Sequence, residues 1–133
     1  MIAIADSVTT LGDEVRGKVL VAGSHGGIVA AYLGASAGAH ALILNDAGIG
    51  KDRAGIAGLA WLEAIGMAAA TVDCMSARIG DGADTLEHGV ISHANRYAAA
   101  CGVAAGQPCR EAAERLREAP APYRAPPHYS DAR

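Results

Sequence analysis

Three short apolar runs in this chain each end in a cluster of glycine and polar residues that leads into a segment with helical spacing. The runs are 19–22, 41–44 and 68–72, and the clusters that follow them are 23–27, 45–52 and 73–81. This alternation is typical of successive βα units, which build a parallel sheet covered by helices. Because parallel strands end at the same edge of a sheet, we expect the three clusters to converge there on a ligand site.

The chain of 133 residues is long enough for one domain. We predict an Ala/Gly-rich, three-layer α/β domain over 1–119, Rossmann-like or flavodoxin-like, with a short and mainly parallel sheet of about four strands. The three βα strands are expected in the order 2-1-3 or the simpler 3-2-1. An edge strand is expected over 2–11, and helices over 28–37, 55–65, 84–100 and 108–118.

Residues 120–133 form a proline-rich segment that we expect to be a C-terminal tail. It contains Pro120, Pro122, Pro126 and Pro127, and proline cannot continue a helix or donate a backbone hydrogen bond. The tail is either loose or an arm that packs on a neighbouring subunit through its tyrosines.

Bulk composition narrows the function classes. Hydrophobic residues make up 51% of the chain but aromatic residues only 4%, so the core contains few large side chains. We therefore predict a homo-oligomer in which Trp61 or the 92–97 segment contacts a neighbouring subunit.

A net charge of −3 with no basic cluster argues against nucleic-acid binding. We expect no membrane span or signal peptide. Three cysteines without CxxC spacing favour a cytoplasmic location of the protein.

The first cluster supplies the candidate catalytic residues. His25 can act as a general acid or base near neutral pH, and Ser24 stands beside it at the same predicted strand end. Gly26 and Gly27 let a ligand approach backbone N–H groups at a helix start. The spacing is neither the dinucleotide GxGxxG nor the GxSxG nucleophile elbow. A plainer interpretation makes His25 a polar residue that caps the strand end.

The other two clusters supply candidates for orienting and binding. Asp46 is expected to orient His25, Asn45 to contact the substrate, and Lys51 to hold a carboxylate or phosphate. In the third cluster, Ser76 and Arg78 are expected to bind the same anion. The alternatives are loop hydrogen bonds for Asp46, a solvated Lys51, and an ion pair of Arg78 with a neighbouring aspartate.

Cys74 is a weaker candidate nucleophile, because its acidic neighbours do not lower a thiol pKa. No histidine or cysteine spacing selects a metal site, so neither a metal nor a cofactor is predicted. The sequence therefore predicts a small enzyme that performs isomerase, lyase or hydrolase chemistry on an anionic metabolite. The alternative is an anion-binding or regulatory subunit without catalysis.

Overall fold

The computed structural model describes residues 2–127 of the chain. Its strands are β1 (Ile2–Ala5), β2 (Val19–His25), β3 (Ala41–Asn45), β4 (Ala69–Val72) and β5 (Ile91–Ala94). Its α-helices are α1 (Ile28–Ser36), α2 (Ala57–Glu63), α3 (Gly82–His88), α4 (Arg96–Ala100) and α5 (Cys109–Leu116). Three 3-10 helices cover Val8–Thr10, Asp13–Val15 and Lys51–Ile56.

The five strands form one sheet in the order β1-β2-β3-β4-β5. The first four strands are parallel, and β5 runs antiparallel to β4. The mainly parallel sheet with helices confirms the predicted α/β class. Among the three βα strands the simpler 3-2-1 order is confirmed and 2-1-3 is wrong, because each of these strands pairs with the next one along the chain.

Helices cover both faces of the sheet and create two buried clusters. On one face, side chains of α1 and α2 pack with Leu20, Leu42 and Leu44 of the central strands. On the other face, side chains of α3, α4 and α5 pack with Val21 and Ile43. Adjacent strand residues therefore point to opposite layers, and β3 is buried along its whole length, as expected for a central parallel strand.

The predicted helix over 84–100 is wrong. The chain instead forms α3, turns at Gly89, forms β5 and then enters α4. β5 gains its hydrogen bonds from β4, through pairs such as Thr71 with His93. The helical spacing of apolar residues within 84–100 therefore gave a wrong prediction for residues 91–94, because their strand structure depends on β4, which is distant in sequence.

Two other sequence predictions end differently in the structure. The predicted edge strand over 2–11 stops at Ala5, and Ser7 then caps a 3-10 helix by accepting a hydrogen bond from the N–H of Thr9. The predicted helix over 55–65 is shorter in the structure, because its first two residues belong to the 3-10 helix Lys51–Ile56 and α2 covers Ala57–Glu63. Among the helices of residues 2–127, none is long and apolar enough to span a membrane.

The first part of the predicted tail contacts the domain. The N–H of Tyr123 donates to the carbonyl of Ile65, and its hydroxyl donates to the carbonyl of Ala64 at 3.0 Å. The guanidinium of Arg124 donates to the same Ala64 carbonyl at 2.8 Å. These bonds satisfy carbonyl groups at the C-terminal end of α2, where a positive charge is also favourable. Residues 128–133 lie outside the described part of the chain.

Candidate functional site

A groove of about 310 Å³ lies beyond the carboxyl ends of β1 and β2. Its polar lining includes Asp6, Ser7, Ser24 and His25. Its apolar lining comes from the segment after β1, from α1 and from the β4–α3 loop: Val8, Val29, Ala30, Leu33 and Ile79. The edge of the sheet that the sequence predicts for ligand binding therefore carries an open groove.

Hydrogen bonds hold the walls of this groove against the sheet. The N–H of Val8 donates to the hydroxyl of Ser24 at 3.0 Å. On the other side, the N–H of Gly80 donates to the carbonyl of Gly23 at 2.8 Å. A side chain at Gly23 would collide with the backbone of residues 80 and 81, so glycine is needed for this close approach.

Asp6 belongs to the groove although sequence reasoning missed it. It follows β1 directly, and its Oδ1 accepts a hydrogen bond from the N–H of Gly82 at 3.0 Å. The long strand predicted over 2–11 concealed this position. The sequence does contain a sign that the strand ends early: the apolar run stops at Ala5, and two polar residues, Asp6 and Ser7, follow it.

His25 is exposed at the end of β2. A hydrogen bond within its own turn determines which ring nitrogen carries the hydrogen when the ring is neutral. Its Nδ1 accepts the N–H of Gly27 at 3.1 Å. In the neutral ring the proton therefore lies on Nε2. The side chain can donate this hydrogen to a ligand in the groove that His25 lines.

The glycines of the first cluster serve packing more than anion binding. The N–H of Gly26 donates to the carbonyl of Asn45, and the N–H of Gly27 is occupied by His25. A side chain on Gly26 would collide with the carbonyl of Gly55, and one on Gly58 would meet the carbonyl groups of residues 26 and 27. These glycines thus let the turn before α1 lie directly against the 3-10 helix and α2.

The backbone N–H groups available to an anion lie one turn further along, at the start of α1. The first turn-closing bond runs from the N–H of Ala31 to the carbonyl of Gly27, and no side chain caps this helix. The N–H groups of Ile28, Val29 and Ala30 therefore lack partners within the helix. Val29 and Ala30 line the groove, where the helix dipole is favourable for negative charge.

Asp46 is buried and organises loops. Its Oδ1 accepts the N–H of Gly48 at 2.8 Å and the N–H of Cys74 at 3.1 Å. The predicted pairing of Asp46 with His25 is not among the hydrogen bonds of residues 2–127. Asn45 is also buried; it accepts from the N–H of Ala47 and donates to the carbonyl of Ala77, so its amide joins the loops after β3 and β4.

Asp46, Asp73 and Cys74 bring one possible ligand atom each within 4.8 Å of one another. Burial raises the pKa of the Cys74 thiol, and the two carboxylates and a hydrogen bond to Asp46 raise it further. The thiol therefore stays protonated at neutral pH and is a poor nucleophile. Sequence spacing did not select this set, because its members come from two different strand ends.

The remaining predicted binding residues lie around the edge of the sheet without lining the groove. Ser76 is bound within its own loop, donating to the carbonyl of Asp73 and accepting from the N–H of Val90. Arg78 is exposed, and its N–H lowers the pKa of Asp84 by donating to that carboxylate at 2.8 Å. Lys51 is exposed at the start of its 3-10 helix.

A second cavity of about 480 Å³ lies between α2 and β5. Arg53, Glu63 and His93 are among its lining residues. Nδ1 of His93 is buried and has no hydrogen-bond partner within residues 2–127. Arg53 adopts a left-handed backbone conformation, with φ of 59°. The sequence drew attention to His93 but placed it on a helix.

No protein-family model, curated protein or solved structure that was compared with this chain matches it. The functional conclusion therefore depends on the groove itself.

Proposed function

We propose that this chain is a small enzyme that carries out acid/base chemistry on a carboxylate- or phosphate-bearing metabolite, as an isomerase, lyase or hydrolase. The observation that supports it most is that His25 and Asp6 line one groove. His25 offers a hydrogen on Nε2, because its Nδ1 is already an acceptor. Asp6 offers its second carboxylate oxygen, because Oδ1 is bound to the N–H of Gly82. A proton donor and a proton acceptor thus face one ligand space.

In this proposal the anionic group of the metabolite binds at the first turn of α1. The uncapped N–H groups of Ile28, Val29 and Ala30 supply donors there. The hydroxyl of Ser24 accepts from the N–H of Val8 and keeps its own hydrogen for a ligand. Bound in this way, the anion stands between the two residues that exchange protons with the substrate.

The exposed cations have a secondary role in the proposal. Lys51 and Arg78 do not line the groove, but both belong to loops at the same edge of the sheet. Exposed positive charges attract an anionic substrate during its approach, and salt screens this attraction. Asp46 and Asn45 then act as positioning residues, since they fix the loops after β3 and β4.

The alternative is an anion-binding or regulatory subunit that does not catalyse a reaction. One observation favours it: among the described residues, no carboxylate forms a hydrogen bond with His25. Such a bond would stabilise the positively charged ring that forms during proton transfer. Both candidates use the same groove, so they differ in turnover and not in where the ligand binds.

We also infer that the protein is a cytoplasmic homo-oligomer. The support for assembly is a core made largely of alanine, valine, isoleucine and leucine, together with large apolar side chains left exposed outside the groove, such as Ile4 and Met75. Trp61 packs edge-to-face on Tyr32, with ring centroids 6.0 Å apart. Both rings are half-buried, and this pair is the surface that we expect a neighbouring subunit to contact.

Proton NMR in deuterium oxide tests the enzyme proposal, because it registers proton exchange, elimination and ester hydrolysis in one spectrum. A panel of small 2-oxo acids, 2-hydroxy acids and phosphate esters is incubated with the protein. We expect turnover of at least one compound. His25→Ala and Asp6→Asn should each lower its rate about 10²–10⁴-fold, the usual contribution of a general acid or base.

His88→Ala is the matched control, since His88 is an exposed histidine that pairs with Asp84 on α3. It should leave the rate unchanged. Full turnover by a folded His25→Ala variant would remove His25 from the mechanism. Binding of panel compounds without any turnover would overturn the enzyme proposal in favour of the alternative.

A further inference from the structure

The groove has an apolar wall that the acid/base proposal does not use. Val29 and Ile79 keep 36% and 56% of their surface exposed, although both are large and apolar. They line the groove together with Leu33, and Ser24 and His25 contribute polar groups to the same lining. Exposed apolar surface rimmed by polar groups is typical of a ligand-binding groove. The polar groups therefore form only part of the surface that a ligand in this groove would contact.

The charge of the groove limits the anion. Among the described residues that line it, none is a lysine or arginine, and Asp6 adds a negative charge. A phosphate group carries about two negative charges near neutral pH and is usually bound by cationic side chains as well as by backbone N–H groups. A carboxylate carries one charge, which the Ser24 hydroxyl and the N–H groups at the start of α1 suffice to bind.

We infer that the substrate of the groove is a monocarboxylate with a short apolar chain. The carboxylate lies at Ser24 and the first turn of α1, beside His25, and the chain lies on the side chains of Val29, Leu33 and Ile79. A volume of about 310 Å³ is at the small end of ligand pockets, which limits the chain to a short one. This inference rests on the proposed function, since it assigns the groove the same anion-binding end.

Titration calorimetry with acetate, butyrate, hexanoate, inorganic phosphate and hexyl phosphate, at one ionic strength, tests the inference. Affinity should rise about fourfold for each methylene that leaves water, so hexanoate should bind at least tenfold more tightly than butyrate. Ile79→Ser should remove much of this gain and leave acetate binding unchanged. Met75→Ser is the control, because Met75 is 89% exposed and does not line the groove.

Each failure has its own signature. Equal affinities along the carboxylate series, or inorganic phosphate binding more tightly than hexanoate, would overturn the inference. If the compounds bound in either of these ways and the His25→Ala variant no longer bound them, the groove would remain the proposed acid/base site, with a substrate of another class. If no carboxylate and no phosphate bound, the proposed function would fall as well.

Discussion

Replacement of Asn95 by alanine is expected to lower the free energy of unfolding by about 3–5 kcal/mol. Asn95 is buried, and its Oδ1 accepts the N–H groups of Ala69 and Ala98, each at 3.1 Å. Its Nδ2 donates to the carbonyl groups of Leu59 and Met67, at 3.2 and 2.8 Å. One side chain thus joins α2, β4 and α4, and alanine would leave these buried polar groups without this partner.

Urea unfolding followed by the fluorescence of Trp61 measures this effect. Gln107→Ala is the control, because the Gln107 amide also makes two hydrogen bonds with the backbone, at Ala104 and Gly102, but these bonds are exposed to water. Its loss should cost about 1 kcal/mol or less, since water replaces the exposed partners. A loss below 1 kcal/mol for Asn95→Ala would show that the hydrogen bonds of the Asn95 side chain do not hold α2, β4 and α4 together.

Gly55→Ala is expected to destabilise the protein by about 3 kcal/mol, the upper part of the range for inserting atoms into a packed region. A side chain there would collide with the carbonyl group of Asp46 and lie 3.0 Å from Cα of Ile49. Both neighbours are backbone, so the 3-10 helix would have to move away from the end of β3. That movement would also disturb the turn before α1, since Gly26 packs on the carbonyl of Gly55.

Gly12→Ala is the matched control in the same urea experiment. A side chain at Gly12 would meet only the flexible end of Glu14, which can move. The control should change the unfolding free energy by less than about 0.5 kcal/mol. Equal effects of the two substitutions would contradict the close approach of the 3-10 helix to β3.

The central strands and the helices between them could be predicted because their signals are local. β2, β3 and β4 are short apolar runs bounded by glycine and polar residues, and α1 and α5 begin and end close to their predicted limits. β5 could not be found in this way, since its strand structure depends on pairing with β4. Gly89 and the N-cap Asn95, whose side chain accepts from Ala98, were local signs that the helix is interrupted.

The candidate site was only partly predictable, because it too depends on contacts between residues that are distant in sequence. Its edge of the sheet followed from the parallel strands, and Ser24 and His25 lie where the sequence places them. Which side chains share a groove depends on how loops fold back: Asp6 lies in the groove, whereas Asp46 holds the loops after β3 and β4. The roles of Gly26 and Gly27 depend on the 3-10 helix packed against them, which no local motif indicates.

Chemical-shift mapping of backbone amides with hexanoate tests the central claim most directly, because it reports where a ligand binds without assuming a reaction. We predict that shifts concentrate at Asp6, at residues 24–30 and at Ile79, and that His25→Ala weakens them while His88→Ala does not. Shifts confined to the cavity between α2 and β5, around Arg53 and His93, would contradict the assignment of the groove as the functional site, and the absence of any shift would overturn the monocarboxylate inference.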